Sequence, residues 1–301
     1  MVLPQSLQRR RGCTGGSLSW LAMNVGVGLP NAVPGRGSIA VWARRAEESG
    51  FSSVGVVDRI AYDSIDPFTA LAAAAAATDH IGLATAVAIG PLRASALLTK
   101  EVATVHSLSS GRLTVGLGVG ARTEDYEVAG VDHRRRGAIL DDQLYDLRRL
   151  LGDGDRGPGT EGGPKLLVGG TSDLAFARAA RAADGYVHGG GPPRAFAAAA
   201  LKARTAWRDY ARPGEPLLWG QGYFALGRDA RDAGLAYMRD YYAFTGPFAE
   251  RIAEGMLNTP QDVAQLVRGY SEAGCGELVL MPAVPSIDQV GRLADVLAGV
   301  R

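Results

Sequence analysis

The feature that most constrains this chain is an eightfold alternation. Short runs rich in β-branched residues occupy 23–29, 53–57, 81–89, 113–119, 165–169, 185–189, 217–226 and 277–282. Each is followed by a longer amphipathic or Ala-rich run, at 38–49, 67–78, 94–109, 134–151, 172–183, 193–211, 229–270 (broken) and 286–298. The first period reads as strand and the second as helix. The second helix has a clear start, "DPFTAL", with Asp66 as N-cap and Pro67 in the first turn. Eight such units in series are what a (β/α)8 barrel needs, at its usual size of about 250 residues. A doubly wound sheet, the main competitor, would more often stop at about five or six strands. A barrel carries its chemistry at the C-terminal ends of its strands, so those ends are the places to inspect.

The rest of the chain narrows the setting. The chain has 301 residues and a formal net charge of +1, from 32 basic and 31 acidic side chains. Such a balance sets up no field for nucleic acid or a membrane surface. No run approaches the roughly 18 apolar residues of a membrane span. Cys13 and Cys275 belong to no C-x-x-C motif, which points away from a disulfide framework and towards a reducing cytoplasm. Carboxylates and histidines do not cluster at metal-ligand spacing, so no metal is expected. Residues 1–22 are read as a flexible extension, with "MNVGVGLP" from Met23 as the first strand and a candidate natural start. Residues 23–301 then form a single barrel domain. Residues 120–133 are polar and without a helical stripe, and are expected to be a loop.

Five strand ends draw attention. "GLGVGARTEDYEVAG" (116–130) matches the G-x-G-x-x-G/A letters of a dinucleotide loop through Gly116, Gly118 and Ala121. It fails the context test, because it follows the fourth strand and opens no helix at once. Alternate glycines remove side chains from one face, either to admit a flat ligand or to let a neighbouring strand pack closely. "KLLVGGTSD" (165–173) ends a strand in Gly169 and Gly170 and opens a helix at Thr171 and Ser172. Free N–H groups there could hold a phosphate, or the turn could be an ordinary capped one. "VVDRI" (56–60) sets Asp58 and Arg59 beyond the second strand, as a ring or substrate contact or as a surface pair. His188 in "YVHGGG" ends the sixth strand, as an active-site residue or a structural one. Arg93 in "GPLR" could help neutralise an anion or be a solvated loop residue. No G-x-S-x-G elbow, H-E-x-x-H or Walker loop is present. A glycine wall beside an anion turn suits a large flat cofactor that brings its own chemistry.

The segments "DPFTALAAAAAATDHIGLATAV", "LSSGRLTVGLGVGARTEDYEVAGVDHRRRG", "KLLVGGTSDLAFARAARAADGYV" and "NTPQDVAQLVRGYSEAGCGELVLMP", in that order, resemble the bacterial luciferase-like flavin-dependent oxidoreductases. The resemblance runs from about Met23 to the C-terminus. It implies a (β/α)8 barrel, FMN or the deazaflavin coenzyme F420 as cofactor, a small organic substrate and a homodimer. It implies that Gly118, Val119 and Gly120 line the flavin, and that Gly169, Gly170, Thr171 and Ser172 bind its phosphate. It also matches Ala86–Val87 to a non-proline cis peptide against the ring, and Asp58 and Arg59 to an acidic-basic pair beside it. Asp58, Arg59 and His188 are the catalytic candidates.

The chain departs from its relatives in places. Sugar-phosphate dehydrogenases of the family carry Glu where this chain has Ala121, so that activity is not expected. Luciferases carry a phosphate-binding Arg where this chain has Val119. Only 152–164 precede the "GG" turn, so the lid is expected to be short or reorganised. The expected function is hydride transfer or oxygenation of a small organic molecule. The alternative is a non-catalytic barrel that binds a flavin or another ligand. A phosphate-binding lyase or isomerase would need a Lys or paired carboxylates at strand ends, and Lys165 sits at the wrong end of its strand.

Overall fold

The structure is a computed structural model that describes residues 23–31, 38–151 and 162–299. The extension read at 1–22 and most of the Gly-rich stretch before the "GG" turn lie outside the described residues. Eight strands close into a barrel in chain order: β1 (Asn24–Gly28), β2 (Ser53–Val56), β3 (Gly82–Ile89), β4 (Leu113–Gly118), β5 (Lys165–Gly169), β6 (Gly185–His188), β7 (Leu217–Phe224) and β8 (Glu277–Pro282). All eight pairings are parallel, and β1 against β8 closes the ring.

Helices α1 (Ser38–Glu48), α2 (Pro67–Ala75) and α3 (Ser95–Leu108) follow the first three strands. As the sequence predicts, α2 starts on Asp66, whose carboxylate accepts from the Thr69 N–H, with Pro67 in the first turn. After β4 come α4 (Thr123–Ala129) and α5 (Arg136–Leu151). Next are α6 (Asp173–Ala182) and α7 (Pro193–Asp209). The broken seventh run resolves into α8 (Arg228–Tyr241), α9 (Phe248–Glu254) and α10 (Pro260–Glu272), and α11 (Asp288–Gly299) ends the ring. Thr259 and Asp262 form a full capping box at the start of α10.

The main core lies between strands and helices. It includes Trp42 of α1, Phe68 and Leu71 of α2, Leu98 of α3 and Phe196 of α7, all buried against Val54, Leu83, Val115 and Val168. Burying each large apolar side chain is worth roughly 1.5–3 kcal/mol.

Helix α4 corrects the expectation of an irregular loop at 120–133. Only Asp125 and Tyr126 of its seven residues are buried, so no apolar period was available to read. Charge holds it instead. The Asp125 carboxylate accepts from the Ile60 and Ala61 N–H groups (3.1 and 2.7 Å) and from Arg59 Nε (2.7 Å). Glu124 and Asp125 in the first turn suit the helix dipole. Gly130, at φ 66°, ends the helix in the left-handed conformation.

The strand pairing is regular except between β3 and β4, where the register shifts between Thr85 and Ala88. The Ala86–Val87 peptide inside that shift is cis, at the pair the resemblance singles out.

Candidate active site

The register shift of β3 explains the glycines of β4. A Cβ on Gly116 would stand 2.4 Å from the Thr85 carbonyl oxygen, and one on Gly118 would stand 2.9 Å from Val87 Cγ2. A Cβ on Gly120 would meet Ile89 Cγ2 at 2.9 Å, and one on Gly169 would meet Val87 Cγ1 at 3.0 Å. The wall is therefore not bare. Its glycines let β3 bulge against β4, which is the close-packing alternative of the two readings. Val87 is thereby set over Gly118 and Gly169, so three of the cofactor-binding candidates share one surface.

Which side chains enter the barrel follows from β7. A Cβ on Gly220 would strike the Tyr270 ring of α10 at 2.4 Å, and one on Gly222 would meet Leu266 of α10 at 3.0 Å. Those positions face the helices, so Trp219, Gln221 and Tyr223 face inward. All three are partly accessible, although a parallel strand inside a helix ring is covered on its outer face. Val87 and Val119 are also partly accessible. Inward side chains keep accessible area only where the interior is not filled. A cleft thus enters the barrel between the β3 bulge and β7. The end of β6 leaves it open, because Gly189, Gly190 and Gly191 carry no side chains. A Cβ on Gly189 would lie 3.9 Å from Gln221 Nε2, so the Gln221 amide stands beside that gap. Its Oε1 is buried and has no hydrogen-bond partner.

Asp58 and Arg59 do not pair with each other. The Asp58 carboxylate accepts from the Ile89 N–H at 2.8 Å and from Arg93 at 2.5 and 3.3 Å. Arg93 also bonds Asp66 at 2.8 Å. Burial works against the Arg93 charge, and Asp58 and Asp66 more than offset it, so its pKa is raised. Arg93 is committed to these carboxylates and is not held ready for an anion. Arg59 turns the other way, to Asp125 at 2.7 Å and Glu124 at 3.0 Å, with its guanidinium over the rings of Tyr62 and Tyr241. Through these contacts Asp58 fastens the end of β3 and Arg59 fastens α4.

His188 requires a correction. It stands at a strand end, but its ring packs edge-on against Phe196 of α7 and lies 3.4 Å from the Tyr270 hydroxyl of α10. It shares this outward face with Tyr186, which packs on Phe176. Burial lowers its pKa below 6.5. His188 belongs to the layer between barrel and helices, not to the cleft.

An aromatic cover over the mouth escaped the sequence reading. Tyr237 and Tyr241 stack on one face of α8 with ring centres 5.5 Å apart. Tyr62, Tyr223 and Tyr242 close around them. Arg122 reaches in from the start of α4, 4.5 Å from the Tyr241 ring and 4.1 Å from that of Phe244, and donates to the Tyr241 carbonyl at 2.8 Å. The signal was present in "YMRDYYAF", where two tyrosines stand four residues apart. Burial, then Asp240, pushes the Tyr62 phenol up to about 12, and burial raises Tyr223, Tyr237 and Tyr241 further. Near neutral pH these groups are protonated donors. The Tyr237 oxygen accepts from Asn31 Nδ2 at 3.0 Å, which leaves its hydrogen free to donate.

The anion turn lies beside the cleft. Gly170, Thr171 and Ser172 are exposed, and no side chain caps the first turn of α6. Its N–H groups therefore face outward at a positive helix end. A separate groove, lined by Leu147, Arg148, Lys165, Asp184 and Leu217, lies at the opposite end of the barrel, away from all these groups.

A family model for luciferase-like monooxygenase matches residues 19–275, most of the chain. The chain belongs to the luciferase-like monooxygenase family. An uncharacterized protein of Mycobacterium tuberculosis is 33% identical over 187 residues, 50% of this chain and 65% of that one. The chain thus spans about 65% of the length of the first curated relatives it matches. A 5,10-methylenetetrahydromethanopterin reductase of Methanolobus tindarius is 25% identical over 65% of this chain and 63% of its own. Among solved structures, an F420-dependent secondary alcohol dehydrogenase matches with a TM-score of 0.76 at 16% identity, covering 93% of this chain and 99% of the other. A monooxygenase from Streptomyces bottropensis matches at 0.74 and 23%, covering 92% and 99%. At these identities the structural matches establish the shared luciferase-like barrel.

Proposed function

We propose that this luciferase-like protein is an oxidoreductase that holds a flavin-type cofactor, FMN or coenzyme F420, and acts on a small organic substrate. The observation that carries the reading is the set of partly accessible inward side chains, Val87 with Trp219, Gln221 and Tyr223 of β7, at the same end of the barrel as the uncapped start of α6. Its dimensions of chemistry suit the group: an apolar bulge for a flat ring, a partnerless buried amide oxygen, and free N–H groups for a phosphate.

In this reading Ala86 and Val87 support one face of the ring, and the backbone of Gly118, Val119 and Gly120 borders it. Gly169, Gly170, Thr171 and Ser172 hold the phosphate. Asp58 and Arg59 act as positioning residues, one for the end of β3 and one for α4. His188 drops out as an acid or base. The tyrosines of the mouth exclude water and present hydroxyl donors to the substrate. When bound, the cofactor supplies the hydride transfer or the oxygen chemistry. The proposal includes a homodimer in the cytoplasm. No helix among the described residues is long and apolar enough to cross a membrane.

The experiment is a fluorescence titration of the purified protein with FMN and with coenzyme F420. Micromolar binding of one or both is expected. Binding of neither overturns the reading, and binding of only one decides between the two cofactors.

A further inference from the structure

Gln221 is the one strongly polar side chain on the inward face of β7, between Trp219 below and Tyr223 above. The residue is partly accessible, and none of its strand neighbours answers its amide. Across from it β6 has ended in Gly189, where a Cβ would stand 3.9 Å from Gln221 Nε2. On the other side its register partner is Val279 of β8, which cannot bond to an amide. Gln221 Oε1 is buried and without a partner. Leaving such an acceptor unanswered has a cost. Apolar residues of the same shape would carry no such demand, so a Gln at this position calls for a polar partner. The same cleft holds Val87, the residue proposed to support the cofactor ring.

We infer that Gln221 reads the uracil-type edge of the bound cofactor. A carboxamide has one acceptor and one donor side by side, and an imide edge of the form CO–NH–CO has the complementary pair. Oε1 accepts from the ring N–H while Nε2 donates to the adjacent carbonyl. FMN and coenzyme F420 both carry this edge, so the contact fits either one and sets the ring's orientation about its long axis. Two bonds made together fix direction as well as position. The assignment rests on the proposed function, because it presumes a flavin-type ligand.

The test compares the full chain with Gln221→Leu and uses two ligands: the cofactor that the wild-type protein binds, and its analogue methylated at the imide nitrogen. Methylation removes the donor and adds bulk. Wild-type protein should favour the unmodified cofactor by about 10- to 100-fold. Gln221→Leu should bind the unmodified cofactor at least about tenfold more weakly and lose most of that preference. Gln221→Glu keeps an acceptor and loses the donor, so it should fall between the two. Fluorescence titration gives the affinities, and the shift of the cofactor's visible absorption on binding gives a second readout. Equal affinity of wild type for both ligands overturns the inference without any variant. An unchanged preference in Gln221→Leu also overturns it, while the proposed function stands. If wild type binds neither FMN nor coenzyme F420, the functional reading fails first and this assignment fails with it.

Discussion

The two ends of the barrel hold their buried polar groups differently. At the N-terminal end two strong polar groups, Arg112 and Glu277, are fully answered. Arg112, just before β4, uses all its donors on the carbonyls of Ser109, Ile81, Ala75 and Thr78 and on the Thr78 hydroxyl. Glu277 sits inside the barrel floor and accepts from Ser52 and Ser53 at 2.6 and 2.5 Å. Burial raises its pKa, against the pull of those hydroxyls. At the C-terminal end, Gln221 Oε1, Asn31 Oδ1 and Arg122 Nε are buried without partners. A satisfied network adds rigidity, whereas an unsatisfied group has a cost that a new hydrogen-bond partner, water included, removes.

The charged fastening of the mouth supplies the sharpest test. Asp125→Ala would strip the buried Arg59 guanidinium of its closest partner and free two backbone N–H groups. A loss of about 3–5 kcal/mol is expected, read by chemical denaturation. A loss below about 1 kcal/mol would put the pair in the class of solvated ion pairs and erase the contrast between the ends.

The second test asks whether the glycines of β4 serve packing. Gly116→Ala drives a methyl into the backbone of Thr85, which cannot swing aside, and should cost about 1–3 kcal/mol. If the variant is as stable as wild type, β3 does not press on β4 as described, and the bare-wall reading returns.

The third concerns the open turn. Thr171→Asp adds a negative charge beside the uncapped start of α6. The denaturation midpoint should hold, because the site is exposed, while binding of FMN or coenzyme F420 weakens by about tenfold. Unchanged affinity would remove the phosphate from this turn.

The smallest effect belongs to His188, which lies in the packing layer. Its folded pKa is depressed below 6.5 by burial. Between that lowered value and 6.5 the unfolded chain binds more protons than the folded one, so stability rises with pH across the window. Stability is correspondingly lost as pH falls below about 6.5. His188→Phe should keep the contact with Phe196 and flatten that part of the profile in a series of denaturation curves. A profile that does not change would mean that the imidazole is solvated.

Much of this was legible in the chain. The strand spans hold to within a few residues because a strand inside a helix ring reads as a short β-branched run. The α2 start holds because Asp66 carries the capping chemistry itself. Helix α4 was not legible, since a single buried carboxylate and one tyrosine hold it in place. The role of His188 was misjudged for a different reason. Both faces of a parallel barrel strand are buried, so hydropathy cannot say whether Val187 or its neighbours Tyr186 and His188 point inward. The same ambiguity hid Gln221 between Gly220 and Gly222.

By itself, then, the sequence determined the eight alternating units, their caps and the family resemblance. These depend on local backbone periods and on motifs read within a few residues. Only the tertiary structure decided which parity of each strand enters the barrel, that Val87 covers the glycines of β4, and that Arg59 and Arg122 close a tyrosine-lined mouth. Those features depend on pairings between residues far apart in the chain, such as Val87 with Gly169 and Arg122 with Tyr241, and no local period encodes them.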